Sequence, residues 1–214
     1  MIDSECVGMF PNIRQMFLNI ILLGLVYVFW LATQKFLEYD NHDNSRIIDR
    51  MHDSYLFSKI HHYLLNRKYL STILMSLTTL MIDLNVIYFT YDFLINNNRQ
   101  PILLLVLGVG LRQMCQFINR LPSPKDVIWF DPGFPSLIMN YQLGNDFFFS
   151  GHTLTALIFG FELFRSANFL VRVYSVFYMI VEIGFILVTR AHYFMDVYGA
   201  VSTYFMLSYF FALS

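Results

Sequence analysis

Six long apolar runs set the strongest constraint on how this chain can fold. Each is close to the roughly 20 residues that an α-helix needs to cross the hydrocarbon core of a bilayer. The runs cover residues 16–33, 69–95, 101–118, 147–164, 169–188 and 193–213. Because lipid offers the backbone no hydrogen-bond partners, a single spanning segment must be helical. The sequence therefore predicts an all-α, polytopic membrane helix bundle with six transmembrane helices.

Composition supports a bilayer as the main solvent. Hydrophobic residues make up 57% of the 214 positions, more than a soluble domain of this size can bury. The formal net charge of −1 gives no indication of a nucleic-acid partner. Cys6 and Cys115 form no CxxC pair, so we expect neither a disulfide framework nor a zinc site. We expect no metal and no cofactor.

The connections predict one membrane domain over residues 1–214. Its first part, 1–68, holds a span and a mixed-charge connection, and 69–214 forms a five-span region with the candidate motifs. The start of the chain lacks the basic stretch of a signal peptide, so the first span is predicted to be retained. Apolar residues recur at near-helical spacing within 47–64, which predicts one or two helices lying at the membrane interface.

Six spans place the first, third and fifth connections on the same face. The third leads into Ser150-Gly151-His152, and the fifth holds Arg190, His192 and Asp196. Ionisable groups near or within spans are functional candidates because lipid makes them costly. Asp83 and Glu182, deeper in their spans, are predicted either to bond neighbouring helices or to contact substrate.

The spacing of His192 and Asp196 indicates a nucleophile. Residues four apart share a helix face, so the carboxylate of Asp196 can bond one ring nitrogen of His192 and leave the other to attack phosphorus. His152 could then act as general acid and base.

Phosphate contacts are predicted around this pair. Gly151 allows close approach of the backbone, the start of the fourth span offers N–H groups, and Arg190 can neutralise phosphate oxygens. The candidate substrate-binding or phosphate-binding residues are Arg190, Ser150, Gly151, Asp146 and Arg112.

Histidines at a membrane interface can have structural roles as well as catalytic ones. A lone interfacial histidine is most often a structural residue, but two at matching depth beside Asp196 favour a site. His42, His52, His61 and His62 lie in the mixed-charge connection. We predict that these four are solvated or interfacial.

The segments Ser150-Gly151-His152 and His192-Tyr193-Phe194-Met195-Asp196 resemble the type 2 phosphatidic acid phosphatase superfamily. Within it, the chain resembles the sphingomyelin synthase-like branch over about its last 110 residues. Asp146 fits that branch's first motif with one residue inserted after Gly144, and Leu111-Arg112-Gln113 resembles a segment further upstream. The order Thr189-Arg190-Ala191-His192-Tyr193 is similar to the plant phosphatidylcholine:diacylglycerol cholinephosphotransferases.

The resemblance implies that His192 and Asp196 are nucleophile and orienting carboxylate, and that His152 is the acid. It implies transfer of phosphocholine or phosphoethanolamine from a glycerophospholipid to ceramide or diacylglycerol. Arg190 stands two residues before His192, where the superfamily's phosphatases have an arginine six before, which disfavours a lipid phosphate phosphatase. Sphingomyelin synthases carry an acidic residue where this chain has Ala191.

Two other functions stay open from the residues alone: a phosphatase of this superfamily and a non-enzymatic lipid-binding membrane protein. The predicted partners are membrane lipids, in an endomembrane or plasma membrane of a eukaryote or the inner membrane of a bacterium.

Lysine and arginine are more numerous on the candidate-site face, which the positive-inside rule makes cytoplasmic. The resembling synthases act on the lumenal or outer face, so the sequence leaves both orientations open.

Overall fold

Seven α-helices make up the regular structure of the described residues. The computed structural model describes residues 13–34, 47–119, 121–133, 135–139, 141 and 147–213. The helices are α1 (Ile13–Gln34), α2 (Tyr55–Leu65), α3 (Lys68–Ile95), α4 (Gln100–Ile118), α5 (Gly151–Phe164), α6 (Phe169–Val188) and α7 (Phe194–Leu213). The predicted all-α class is confirmed over these ranges.

Four helices are long and apolar enough to cross a membrane: α1 over Ile13–Ala32, α3, α4 and α6. Helix α5 is apolar but has 14 residues, and α7 has 20 residues with Asp196 in its first turn. Each of the six predicted runs therefore contains a helix, while crossing by all six stays a prediction. The connection after α1 holds one described helix, α2, and residues 35–46 lie outside the described part.

The fourth run begins as a helix later than predicted. Helix α5 starts at Gly151, and not at Phe147, because Ser150 has an extended backbone conformation and caps the helix. The hydroxyl of Ser150 accepts a hydrogen bond from the Thr153 backbone N–H at 3.2 Å. Such a cap satisfies a donor that the first helical turn otherwise leaves unpaired.

Helix α5 lies at the centre of the bundle, against α4, α6 and α7. Its side chains Leu154, Ala156 and Phe159 are fully buried. A side chain added at Gly108 of α4 would meet Leu154, and one added at Gly160 would meet Met179 of α6. Small residues at these two crossings let the helix backbones approach closely.

Helix α1 packs loosely on this bundle. Only 6% of its apolar stretch is buried, and its buried polar residue, Asn19, donates a hydrogen bond to the Phe93 carbonyl at the end of α3. Most of its surface is therefore left for contact with lipid.

Three connections meet at the end of the bundle where α5 and α7 begin. The Ile128 N–H donates to the Thr189 carbonyl at 2.8 Å, and the Tyr193 hydroxyl donates to the Pro122 carbonyl at 3.0 Å. From the first connection, Nδ1 of His61 in α2 contacts the Val188 carbonyl at 2.9 Å. These contacts confirm the predicted convergence of the first, third and fifth connections.

Candidate active site

The His192 and Asp196 side chains are paired at the start of α7. Nδ1 of His192 lies 3.1 Å from Oδ2 of Asp196, and both residues are buried. With Nδ1 carrying the proton toward the carboxylate, Nε2 is left with its lone pair. The predicted pairing is confirmed, but its geometry differs, because α7 begins at Phe194 and His192 precedes the helix. The carboxylate reaches back over the helix start, and the two residues do not share a helix face.

Asp196 also fixes the start of α7. Its Oδ2 accepts a hydrogen bond from the Tyr193 backbone N–H at 3.0 Å. This is the reach-back half of a capping box, in which a side chain in the first turn satisfies the N–H before the helix. The backbone carbonyl of Asp196 accepts a hydrogen bond from the Ser150 N–H at 3.1 Å, and this bond joins the starts of α5 and α7. Oδ1 is buried and has no hydrogen-bond partner among the described residues.

A cavity of about 300 Å³ lies beside this pair. His192, His152, Arg112 and Gly151 all line it, so four predicted site residues border one space. The deeper lining is mostly apolar and reaches Phe159, eight residues or roughly 12 Å along α5 from Gly151. Asp83 and Glu182 are absent from the described lining. Asp83 instead accepts hydrogen bonds from Ser136 and from the Leu137 N–H.

His152 and Arg112 are held in the cavity wall by defined contacts. The His152 ring lies edge-on to Trp129, with centroids 5.3 Å apart. Arg112 is buried, and its Nε donates to the Phe149 carbonyl at 2.9 Å. A Cβ at Gly151 would lie 3.4 Å from Nε of Arg112, so glycine leaves room for this guanidinium at the start of α5.

Arg190 and Ser150 are engaged outside the cavity lining. The Arg190 guanidinium donates to the Lys125 carbonyl at 3.3 Å and to the His52 carbonyl at 3.2 Å. Ser150 is fully buried as the cap of α5. The structure thus places both in the framework of the site, where their contacts hold the chain. Asp146 lies outside the described residues.

Arg190 occupies a backbone conformation that usually takes glycine. Its φ is +57°, and it follows Thr189, the C-cap of α6. The Ala191 N–H donates to the Ile186 carbonyl, and the Arg190 N–H donates to that of Leu187. These two bonds form a Schellman motif, which closes a helix through a left-handed residue. The motif turns the chain sharply toward His192.

Two residues that the sequence did not single out hold the same turn. Oδ2 of Asp49 accepts a 2.6 Å hydrogen bond from the Phe194 N–H, and Oδ1 accepts from the Met51 N–H. Nε2 of His52 lies 3.0 Å from the His192 carbonyl. The prediction that His52 and His61 are solvated or interfacial is wrong, because both side chains are buried. No local pattern indicated these contacts, which join residues about 140 positions apart in sequence.

Burial favours the neutral forms of His52 and Tyr193 at this turn. Burial lowers the pKa of His52, opposed by the nearby Asp49 carboxylate. Burial also raises the pKa of Tyr193 to about 12, with Asp196 and Asp49 adding to the shift. The Tyr193 phenol therefore stays protonated near neutral pH and donates to the Pro122 carbonyl.

Among the described residues, no group of three or more potential metal ligands lies close together.

Comparison with known protein families identifies a match over most of the chain. The model of the family described as AtPDCT1/2 matches residues 54–212. This stretch runs from α2 almost to the end of α7 and includes the predicted site residues, but it excludes α1, Asp49 and His52. No curated protein and no solved structure matches the chain.

Arg190→Gly is expected to unfold at a higher temperature than Arg190→Ala. Both variants lose the guanidinium hydrogen bonds, but only glycine adopts the left-handed backbone without strain. The difference should be about 1 kcal/mol in the free energy of unfolding. Thermal unfolding of the two purified proteins in one detergent measures it. Equal stabilities would contradict the assigned Schellman turn.

Asp49→Asn is expected to lower the unfolding temperature, while Asp53→Asn leaves it nearly unchanged. An asparagine offers one oxygen to the two N–H groups of Met51 and Phe194, and a hydrogen bond to a charged acceptor contributes about 2 kcal/mol. Asp53 is an exposed carboxylate in the same connection and serves as the matched control. Similar unfolding temperatures for the two variants would show that Asp49 does not hold the turn.

Proposed function

Because this chain belongs to the phosphatidylcholine:diacylglycerol cholinephosphotransferase family, a family of phosphocholine transfer between lipids, we propose that it moves phosphocholine from phosphatidylcholine to a diacylglycerol through a covalent histidine intermediate. The chain is a membrane protein, in keeping with its four long apolar helices. The observation that carries the mechanism is the buried His192–Asp196 pair beside a cavity that His152 also lines.

The shape of the cavity supports a lipid substrate. Ionisable side chains stand at the end where α5 and α7 begin, and apolar side chains line the deeper part. A glycerophospholipid has the same division, with a charged head group joined to acyl chains. The loosely packed α1 forms part of the wall, so one side of the cavity is expected to face the surrounding lipid.

In the first step, Nε2 of His192 attacks the phosphorus of phosphatidylcholine. A phosphorus–nitrogen bond forms, and the bond from phosphorus to the glycerol oxygen of diacylglycerol breaks. His152 donates a proton to that leaving oxygen, so that diacylglycerol departs as an alcohol. The Asp196 carboxylate stabilises the positive charge that develops on the His192 ring.

In the second step, the hydroxyl of another diacylglycerol attacks the phosphorus. His152, now neutral, takes the hydroxyl proton, and the phosphorus–nitrogen bond breaks to restore His192. Donor and product are both phosphatidylcholine, so the net change is which diacylglycerol carries the head group. The return of the proton to His152 readies the enzyme for another cycle.

Arg112 is the proposed partner of the phosphate oxygens. It lines the cavity beside Gly151, and a guanidinium pairs well with the negative oxygens of a phosphodiester. The start of α5 adds the positive end of a helix dipole next to His152. Arg190 and Ser150 act as positioning residues in this scheme, through their contacts on the turn and on the helix cap. Asp146, a candidate substrate contact from its place in the first motif, stays a prediction.

Transfer assays with a labelled acceptor test the proposal. Purified protein in liposomes is given phosphatidylcholine and a deuterated diacylglycerol, and deuterated phosphatidylcholine is measured by mass spectrometry. We expect His192→Ala to abolish the exchange. His152→Ala and Asp196→Asn should each slow it by about 100-fold or more, since each removes a positioned proton-transfer or orienting group. His62→Ala, at an exposed position on α2, is the matched control and should retain full exchange.

Different results would separate the alternatives. Full exchange by His192→Ala would overturn the covalent mechanism. Release of free phosphocholine without transfer would indicate water as the acceptor, and faster transfer to ceramide than to diacylglycerol would change the acceptor class. Absence of turnover by the intact protein, with lipid binding retained in a variant lacking His152, His192 and Asp196, would favour a non-enzymatic lipid-binding protein.

A further inference from the structure

We propose that Trp129, with neighbouring aromatic side chains of the cavity, binds the trimethylammonium group of choline and so selects choline donors over ethanolamine donors. This inference rests on the proposed function and adds a binding site for the head group. Trp129 lies in the connection between α4 and α5 and lines the same cavity as His152 and His192.

The cavity is rich in aromatic faces. Its described lining includes aromatic side chains from α1, from the connection after α4 and from α5, namely Tyr27, Trp30, Trp129, Phe147 and Phe159. A quaternary ammonium has no N–H to donate, so hydrogen-bond acceptors do not recognise it specifically. It is attracted to the negative face of an aromatic ring, and most strongly to that of tryptophan.

The side chains that line the cavity suit the quaternary ammonium of phosphocholine better than the primary ammonium of phosphoethanolamine. Among the described lining residues, Arg112 supplies a positive charge and no side chain is a carboxylate. Ala191, directly before His192, adds an apolar surface at the catalytic end. A primary ammonium would need acceptors for its three N–H groups, and its desolvation beside aromatic carbon would be costly.

Trp129 is held rigidly next to the catalytic end. Its ring packs on His152, on Tyr141 with centroids 5.5 Å apart and on Phe185 with centroids 6.3 Å apart. The preceding residue, Ile128, is hydrogen-bonded to the Thr189 carbonyl. A cation on the cavity side of this indole is therefore close to His152, as a choline joined to the phosphate under attack must be.

Donor competition tests the site. Wild-type protein, Trp129→Leu and Trp129→Phe are each given phosphatidylethanolamine, its mono- and dimethyl forms and phosphatidylcholine, with deuterated diacylglycerol as acceptor. We expect the wild-type rate to rise with each methyl group. Trp129→Leu should lose about tenfold in kcat/KM for phosphatidylcholine, mainly through KM, and little for phosphatidylethanolamine. Trp129→Phe should retain part of the preference, and Phe177→Leu, at an exposed position on α6, should retain all of it.

A direct binding measurement covers the case in which Trp129→Leu does not fold. The chain contains two tryptophans, so Trp30→Phe leaves Trp129 as the single fluorophore and keeps an aromatic ring at position 30. Its emission should change saturably with phosphocholine, and far less with phosphoethanolamine at equal concentration. Equal responses to the two compounds, or no response, would overturn the inference.

The outcomes separate this inference from the proposed function. If the wild-type protein transfers no head group from any donor, the proposed function fails. If it transfers phosphocholine and Trp129→Leu keeps the wild-type ratio of choline to ethanolamine donors, the aromatic site is wrong and the proposed function stands.

Discussion

One buried carboxylate organises the end of the bundle that holds the proposed catalytic site. Asp196 accepts hydrogen bonds from the His192 ring and from the Tyr193 N–H, and its backbone carbonyl accepts from Ser150. The same residue therefore orients the proposed nucleophile, begins α7 and joins α7 to the start of α5. Burying a carboxylate is costly, and the two donors to Oδ2 offset part of that cost, so the local fold and the pairing with His192 depend on each other.

The turn that carries His192 is held from the other side by distant parts of the chain. Asp49 and His52 bind the backbone of residues 192 and 194, and Arg190 donates to His52 and Lys125. The connections after α1 and α4 thus hold the short segment between α6 and α7 in place. Because the ring of His192 is fixed by its own backbone and by Asp196, the proposed attack of Nε2 on phosphorus would need little reorganisation.

Local patterns in the sequence predicted the positions of most helices and one contact of the candidate site. Apolar runs located the positions of α1 and α3 to α7, and the spacing of His192 and Asp196 predicted their contact. Patterns could not predict that Ser150 caps α5, that Arg190 adopts a left-handed turn, or that Asp49 and His52 reach the site. Each of these depends on tertiary contacts or on backbone geometry that no periodicity encodes. The aromatic lining of the cavity likewise becomes visible only when α1, α5 and the connection after α4 are placed together.

The central claim is that His192 carries the head group between two lipids. The most direct measurement is mass spectrometry of the protein after rapid quenching with phosphatidylcholine and no acceptor, under conditions that preserve phosphorus–nitrogen bonds. The account predicts a phosphocholine adduct on His192, which disappears when diacylglycerol is added before quenching and is absent from His192→Ala. An adduct on another residue, or efficient exchange with no adduct on any residue, would contradict it.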